Sequence, residues 1–166
     1  MKRILLYLVV AHILYGCGPQ DTSTCHHRLW ISNKTNKAVY ANDIHSYPDT
    51  TCYYWGIYRV TGNQYEHKAN PREECYLFQS DYCWEQCFRW LSRDTLIIVL
   101  TDAKLTEEGE NIHNYRTIQP YMILQRYYLS LQDLNDLNWK LEYPPSVAMR
   151  YMRMWPPYEE VLRKEE

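Results

Sequence analysis

The chain lacks the short signatures that mark most active sites. It has no GxSxG nucleophile elbow, no phosphate-binding P-loop, no HExxH and no GxGxxG. Without them no recognised hydrolase, nucleotide or dinucleotide chemistry has a foothold, and no catalytic residue is assigned. Metal spacing is equally poor, because neither a CxxC pair nor an HxxxH occurs. No run of lysines or arginines is present, so the basic face that nucleic acid requires is missing and no such partner is expected. No internal repeat is visible. Phenylalanine is scarce, with 2 residues against 17 Tyr and 6 Trp. Some tyrosines must therefore fill the core, while others keep their role as stacking and interface side chains.

The start of the chain is its clearest positive signal. Met1-Lys2-Arg3 is a short positive head, Ile4 to Leu14 is an apolar run interrupted by His12, and Leu14-Tyr15-Gly16-Cys17 closes it. A positive head, an apolar stretch of about 7–15 residues and a small residue before the cut describe a secretory signal. The stretch is too short for a membrane span, which needs about 20 residues. Gly16-Cys17 resembles the lipobox of bacterial lipoproteins, in which the cysteine thiol receives diacylglycerol before the signal is cleaved. Tyr15 is larger than that box usually carries. The resemblance implies that Cys17 is lipidated and begins the mature protein. Two or more acyl chains make such an anchor stable, because each buried methylene contributes about 0.8 kcal/mol.

Without the signal about 150 residues remain, the size of one ordinary domain. Hydrophobic residues at 46% and charged residues at 23% suit a packed core. Losing Lys2 and Arg3 leaves 16 basic against 20 acidic residues, a net charge of −4.

Beside Cys17 stand Cys25, Cys52, Cys75, Cys83 and Cys87, an odd number. An exported chain meets an oxidising compartment, so two bridges and one leftover thiol are expected. Cys83 and Cys87 lie four apart in a stretch, 81–91, that reads as a helix. Residues four apart share a helix face but do not easily reach disulfide geometry with each other. Each is expected to pair with a different partner among Cys25, Cys52 and Cys75. Cys25-His26-His27, helped by Cys83 and Cys87, offers soft ligands of the kind zinc or copper takes. Adjacent ligands on extended chain point in different directions, however, and no metal or other cofactor is expected.

Along the chain, strands are expected at 28–33 and 38–44 around the turn Asn33-Lys34-Thr35-Asn36-Lys37, and at 52–60, rich in tyrosine. Asn33-Lys34-Thr35 also spells a glycosylation sequon, read as incidental. Residues 64–79 are ambiguous, with a short strand at 76–78. Leu96-Ile97-Ile98-Val99-Leu100 reads as a strand covered on both faces. Another strand is expected over 121–129, and Ser130-Leu131-Gln132-Asp133 has the form of a capping box opening a short helix. Trp139 to Tyr143 alternates like a half-buried strand, stopped by Pro144-Pro145. Helices are expected over 146–154 and after Pro156-Pro157. The whole reads as α+β: one mostly antiparallel sheet with short helices packed on one face. Residues 1–16 form the signal, 17–27 the lipidated cysteine and tether, 28–145 the domain, and 146–166 a helical tail.

Several residues invite sharper readings. Asp102 follows a buried strand, where many α/β enzymes keep a working carboxylate, yet a turn or cap residue has the same look. Glu107, Glu108 and Glu110 form an acidic cluster without the spacing of a calcium loop. His45, His67 and His113 each stand alone. Tyr53, Trp55 and Tyr58 lie where a strand sets alternate rings on one side, which suits stacking on a sugar or peptide as well as burial. Met149, Met152, Met154 and Trp155 suit a partner's irregular surface or a tail folded onto its own sheet.

Three stretches together carry a resemblance. They are Ser32 to Lys37 with Tyr47-Pro48-Asp49-Thr50, then Ser92 to Ile98, then Arg126 to Leu134 running into Asn138-Trp139-Lys140-Leu141-Glu142-Tyr143-Pro144. They resemble a group of small lipoproteins of unknown function from gut Bacteroidales. The resemblance implies an envelope location, most simply the outer membrane, and brings no catalytic residues. It gives no support to the extra cysteines or the long tail. Only Asp21 follows Cys17 closely, so periplasmic and surface-facing anchoring both stay open. The expectation is a lipid-anchored envelope protein that acts by interaction, with a carbohydrate-binding module second and an enzyme of unrecognised type third. Its partners are the membrane through the lipid, and a glycan or an envelope protein. Growth with a radioactive fatty acid should label the wild-type protein and leave Cys17→Ala unlabelled; equal label on both would end the lipid reading.

Overall fold

A computed structural model describes residues 25–45, 47–49, 68–109 and 118–165. The expected strand at 52–60 lies outside them. In Arg28–Asn33 (β1), Leu29 and Ile31 are fully buried while Arg28 and Trp30 are half-buried, the alternation of a strand with one face on a core. β1 pairs antiparallel with Glu74–Gln79 (β4) and parallel with Lys140–Tyr143 (β7), giving a three-stranded sheet in the order β4-β1-β7. A second sheet is wholly antiparallel. Its order is Lys68–Ala69 (β3), Val39–Ile44 (β2), Leu96–Asp102 (β5), Ile123–Leu129 (β6) and Arg153–Trp155 (β8).

The class is therefore α+β as expected, but with two sheets rather than one. Their inner faces pack together: Leu29, Ile31 and Leu141 from the small sheet meet Val39, Ala41, Ile98, Leu100, Tyr127 and Leu129 from the large one. Tyr127 is fully buried, and its hydroxyl donates to the Glu142 carbonyl at 2.9 Å, joining β6 to β7 across the core. Burial pushes its pKa well above the ordinary value of 10.0. The helices are short: Trp84–Cys87 (α1) prolonged by a 3-10 turn over Phe88–Trp90, Ala103–Gly109 (α2), Leu131–Asp136 (α3) and Tyr158–Glu165 (α4). α1 is thus shorter than the helix expected over 81–91.

β5 is buried on both faces, as its apolar run predicts. Leu96, Ile98 and Leu100 enter the main core, whereas Ile97 and Val99 meet Ile44, Ile118 and Met122 on the outer side. The capping box is also in place. Ser130 Oγ accepts from the Asp133 N–H at 3.1 Å, and Asp133 Oδ2 accepts from the Ser130 N–H at 2.8 Å.

The tail departs from expectation. Val147–Met149 makes a single 3-10 turn, after which Arg153–Trp155 pairs with Arg126–Tyr128 instead of continuing a helix. Pairing with the far edge of β6 gives this segment backbone partners that its local helical pattern does not reveal. Met149 is fully buried, so residues 146–165 belong to the domain.

The two-sheet arrangement turns on the corner after β1. The expected turn at 33–37 is present, but β2 does not pair with β1 and crosses to the other sheet. Asn33, fully buried, holds that corner. Its amide nitrogen approaches the carbonyls of Lys37, Ala69 and Asn70 at 2.8, 3.1 and 2.9 Å. Its carbonyl oxygen accepts from the Thr35 N–H at 3.1 Å and the Thr35 hydroxyl at 2.8 Å. Such a side chain has no room for a sugar, which removes the sequon reading. Asn33→Ala leaves these buried groups unpaired and is expected to cost about 2–4 kcal/mol. Urea unfolding checks this, and a loss under about 1 kcal/mol would show that the corner stands without the amide.

Candidate functional site

Two clusters of chemically capable side chains stand out among the described residues. The first is built from the segment just before β1, expected to be part of a tether. Residues 25–27 instead dock as a strap on residues 80–85. Ser80 N–H donates to the His27 carbonyl at 2.9 Å and Trp84 N–H to the His26 carbonyl at 2.8 Å. Cys25 and Cys83 form a disulfide, their Cα atoms 5.1 Å apart. Closing a loop between residues 58 apart stabilises the fold by about 4 kcal/mol on the chain-entropy account.

The two histidines of the strap have separate tasks. His26 Nδ1–H donates to Glu85 Oε1 at 2.6 Å, and the His26 backbone N–H donates to Oε2 at 3.0 Å. The His26 ring stacks on Trp139, centroids 4.5 Å apart and planes 16° from parallel. Asn138 and Trp139 both take left-handed backbone, φ 50° and 60°, which is strained for a side chain as bulky as tryptophan. Burial of the Trp139 ring and its Nε1–H bond to Asn135 Oδ1 at 3.2 Å offset that strain. His27 Nδ1 lies 3.0 Å from the Ser80 carbonyl, and its Nε2 lies 3.1 Å from Cys25 Sγ. A carbonyl only accepts, so Nδ1 carries the proton and the Nε2 lone pair faces the sulfur.

The other cysteines depart from the two-bridge expectation. Cys75 and Cys87 are free thiols, so neither supplies a second bridge. Cys17 and Cys52 lie outside the described residues. Cys75 packs on the main core with its thiol near the Lys68 carbonyl, and Cys87 packs there near the Ser80 hydroxyl. Each fills space at a separate point of the core. Burial, aided by Glu73, pushes the Cys75 thiol up to about 11, which makes it inert at neutral pH. Cys83 stands at the N-cap of α1 rather than inside a helix, and from there it reaches Cys25.

The second cluster lies on the outer face of the large sheet. Successive residues of β6 alternate, so Tyr127 enters the core while Tyr128 faces outward with Arg153, its register partner on β8. The Arg153 guanidinium lies 4.5 Å from the Tyr128 ring centroid and 5.2 Å from that of Tyr47. Arg153 Nη1–H donates to the Tyr47 hydroxyl at 2.7 Å, and this bond holds the exposed phenol below its ordinary pKa. The Arg93 guanidinium lies 5.8 Å from the Tyr47 ring centroid, on backbone with φ 55°. In the next row of the ladder Asn42, Val99, Arg126 and Trp155 stand in line. Among the described residues Asn42 Nδ2 and Arg126 Nε are buried donors with no partner, and Trp155 is 48% exposed. This face offers flat rings and fixed guanidiniums.

Tyr53, Trp55 and Tyr58, the stacking candidates from the sequence, lie outside the described residues, as do His67, His113 and Glu110. Asp102 Oδ1 accepts from the N–H groups of Lys104 and Leu105 at 2.9 and 3.2 Å, the geometry of a cap on α2. Glu107 accepts from Lys68 Nζ at 2.6 Å and the Tyr40 hydroxyl at 3.1 Å, and the lysine bond holds its carboxyl below the ordinary range. His45 pairs with Asp43 at 2.7 Å. The Arg93–Tyr47–Arg153–Tyr128 grouping went unseen because its members come from four distant parts of the chain. No protein-family model, curated protein or solved structure matches the chain.

The strap carries a pH dependence. Burial disfavours the Glu85 carboxylate, but the side-chain and backbone bonds from His26 outweigh it and hold the pKa below its ordinary 4.5. A carboxyl depressed on folding adds stability that is complete above its unfolded value and vanishes as pH falls through the lower folded value. Wild type should therefore lose its advantage over Glu85→Gln as pH is taken below 4.5. Urea unfolding of both proteins across that window reads it; parallel stability curves would rule the pair out as a support.

Proposed function

We propose that this is an exported, lipid-anchored cell-envelope protein, seated in the outer membrane through Cys17, whose domain acts by binding rather than catalysis. Its binding surface is the outer face around Tyr47, Tyr128, Arg93 and Arg153. The observation that carries this is the Arg153 guanidinium held against two tyrosine rings at the surface. A guanidinium fixed this way has already lost much of its rotamer freedom, so less entropy is lost when a ligand engages it. Among the described residues one of its five N–H donors is committed to Tyr47, which leaves others for a planar anion. Aromatic faces beside cationic forks suit a sugar that carries a carboxylate or sulfate: the ring stacks and the acid pairs. A non-catalytic reading is supported by Asp102, which spends its carboxylate on capping, and by Cys25, whose sulfur is held in a bridge.

A glycan array with the mature protein tests this, using neutral and acidic glycans together. Acidic glycans should bind, and Arg153→Ala or Tyr128→Ala should each weaken binding by about tenfold or more. A blank from folded protein, or binding untouched by both substitutions, would remove this face as a glycan site and turn the search to an envelope protein.

A further inference from the structure

We propose that the strap is also a redox-gated metal site: once the Cys25–Cys83 bridge is reduced, both thiolates and His27 Nε2 hold one Zn2+ ion. Three observations converge on it. Cys25 Sγ, Cys83 Sγ and a His27 ring nitrogen lie within 4.8 Å of one another. His27 is already in the tautomer a ligand needs, because Nδ1–H is spent on the Ser80 carbonyl and Nε2 faces the sulfurs. A backbone carbonyl holding the remote nitrogen is the usual outer support of a metal-bound histidine.

The third observation is that the bridge is not the strap's only support. Backbone bonds from Ser80 and Trp84, the His26–Glu85 pair and the stack on Trp139 also hold it in place. Two thiolates on a tetrahedral zinc sit roughly 3.8 Å apart, a separation that side chains on Cα atoms 5.1 Å apart span by rotation. Cys87 contacts the Ser80 hydroxyl and is not part of the group, so a water completes the fourth position.

The chemistry balances with a dithiol as reductant. The dithiol passes two electrons and two protons to the bridge, becoming a disulfide itself, and Cys25 and Cys83 become thiols. Zn2+ then displaces those two protons and binds both thiolates, while His27 brings a lone pair and releases nothing. Disulfide and metal exclude each other, because both occupy the same sulfur electrons. In the oxidising state the corner is a staple; in the reducing state it becomes a soft-metal site.

The test uses the full chain with Cys17, Cys52, Cys75 and Cys87 replaced by serine, so that only the two ligand thiols remain. After reduction with a phosphine and its removal, Co2+ is added as a visible probe and then displaced by Zn2+. One Co2+ per chain with a thiolate charge-transfer band is expected for the reduced protein and none for the oxidised one. His27→Gln should weaken Zn2+ binding by about tenfold or more while keeping the near-ultraviolet circular dichroism of the fold. Reduced, folded protein without the band overturns the proposal. So does a band of equal affinity in His27→Gln. If reduction by itself erodes the near-ultraviolet signal, Zn2+ must restore it, and failure to restore it overturns the site as well.

Discussion

One buried carboxamide decides how the two sheets of this domain are joined. Asn33 ends β1, and its side chain occupies the corner where the chain leaves the small sheet for the large one. The chain there passes from one sheet to the other, so side-chain bonds supplement the few backbone ones. The amide and carbonyl of Asn33 supply such bonds for Lys37, Ala69, Asn70 and Thr35. Buried backbone polar groups left unpaired are costly, so the sandwich depends on a side chain with both donor and acceptor at one point. Aspartate lacks the donors and leucine lacks both.

Once that corner is set, the remaining architecture follows from closing edges and covering faces. The tail completes the far edge of β6, and Tyr127 ties the sheets across the core to Glu142. The strap before β1 closes a third gap by crossing to residues 80–85. It uses unlike interactions that support one another: a covalent bridge, a histidine–carboxylate hydrogen bond, an aromatic stack and two backbone bonds. Such redundancy makes the bridge one support of the strap among several. The outer face of the large sheet is organised differently. Among the described residues, its arginines lie against π faces, and Arg153 also bonds a phenol.

Local signals were legible wherever local physics decides. The strands at β1, β2, β5, β6 and β7 follow from period-two or continuous apolar patterning, and the helix at 131–136 follows from its capping box. Asp102 was legible as a cap because a short polar side chain after a strand meets the next helix's free N–H groups. The errors fall where distant partners decide. Arg153–Trp155 has no strand signal of its own strength, and β6 recruits it. Cys83 and Cys87 look equivalent on a helical wheel, yet only Cys83, at the helix start, faces Cys25. Residues 25–27 read as tether because their docking partners lie at 80–85 and 139, beyond any local window.

Apolar periodicities, helix caps, the α+β class and the pool of cysteines available for pairing are all written in the order of residues along the chain. These depend on neighbours a few residues away, and the chain carries them wherever it goes. Tertiary structure alone decided that there are two sheets, which cysteines bridge, which way His27 faces, and that Tyr47, Arg93, Tyr128 and Arg153 share one surface. Each of those outcomes requires residues from separate segments to meet at hydrogen-bond or van der Waals distance. That meeting is set by how two sheets twist and pack, a property of the folded whole that no short stretch of sequence contains.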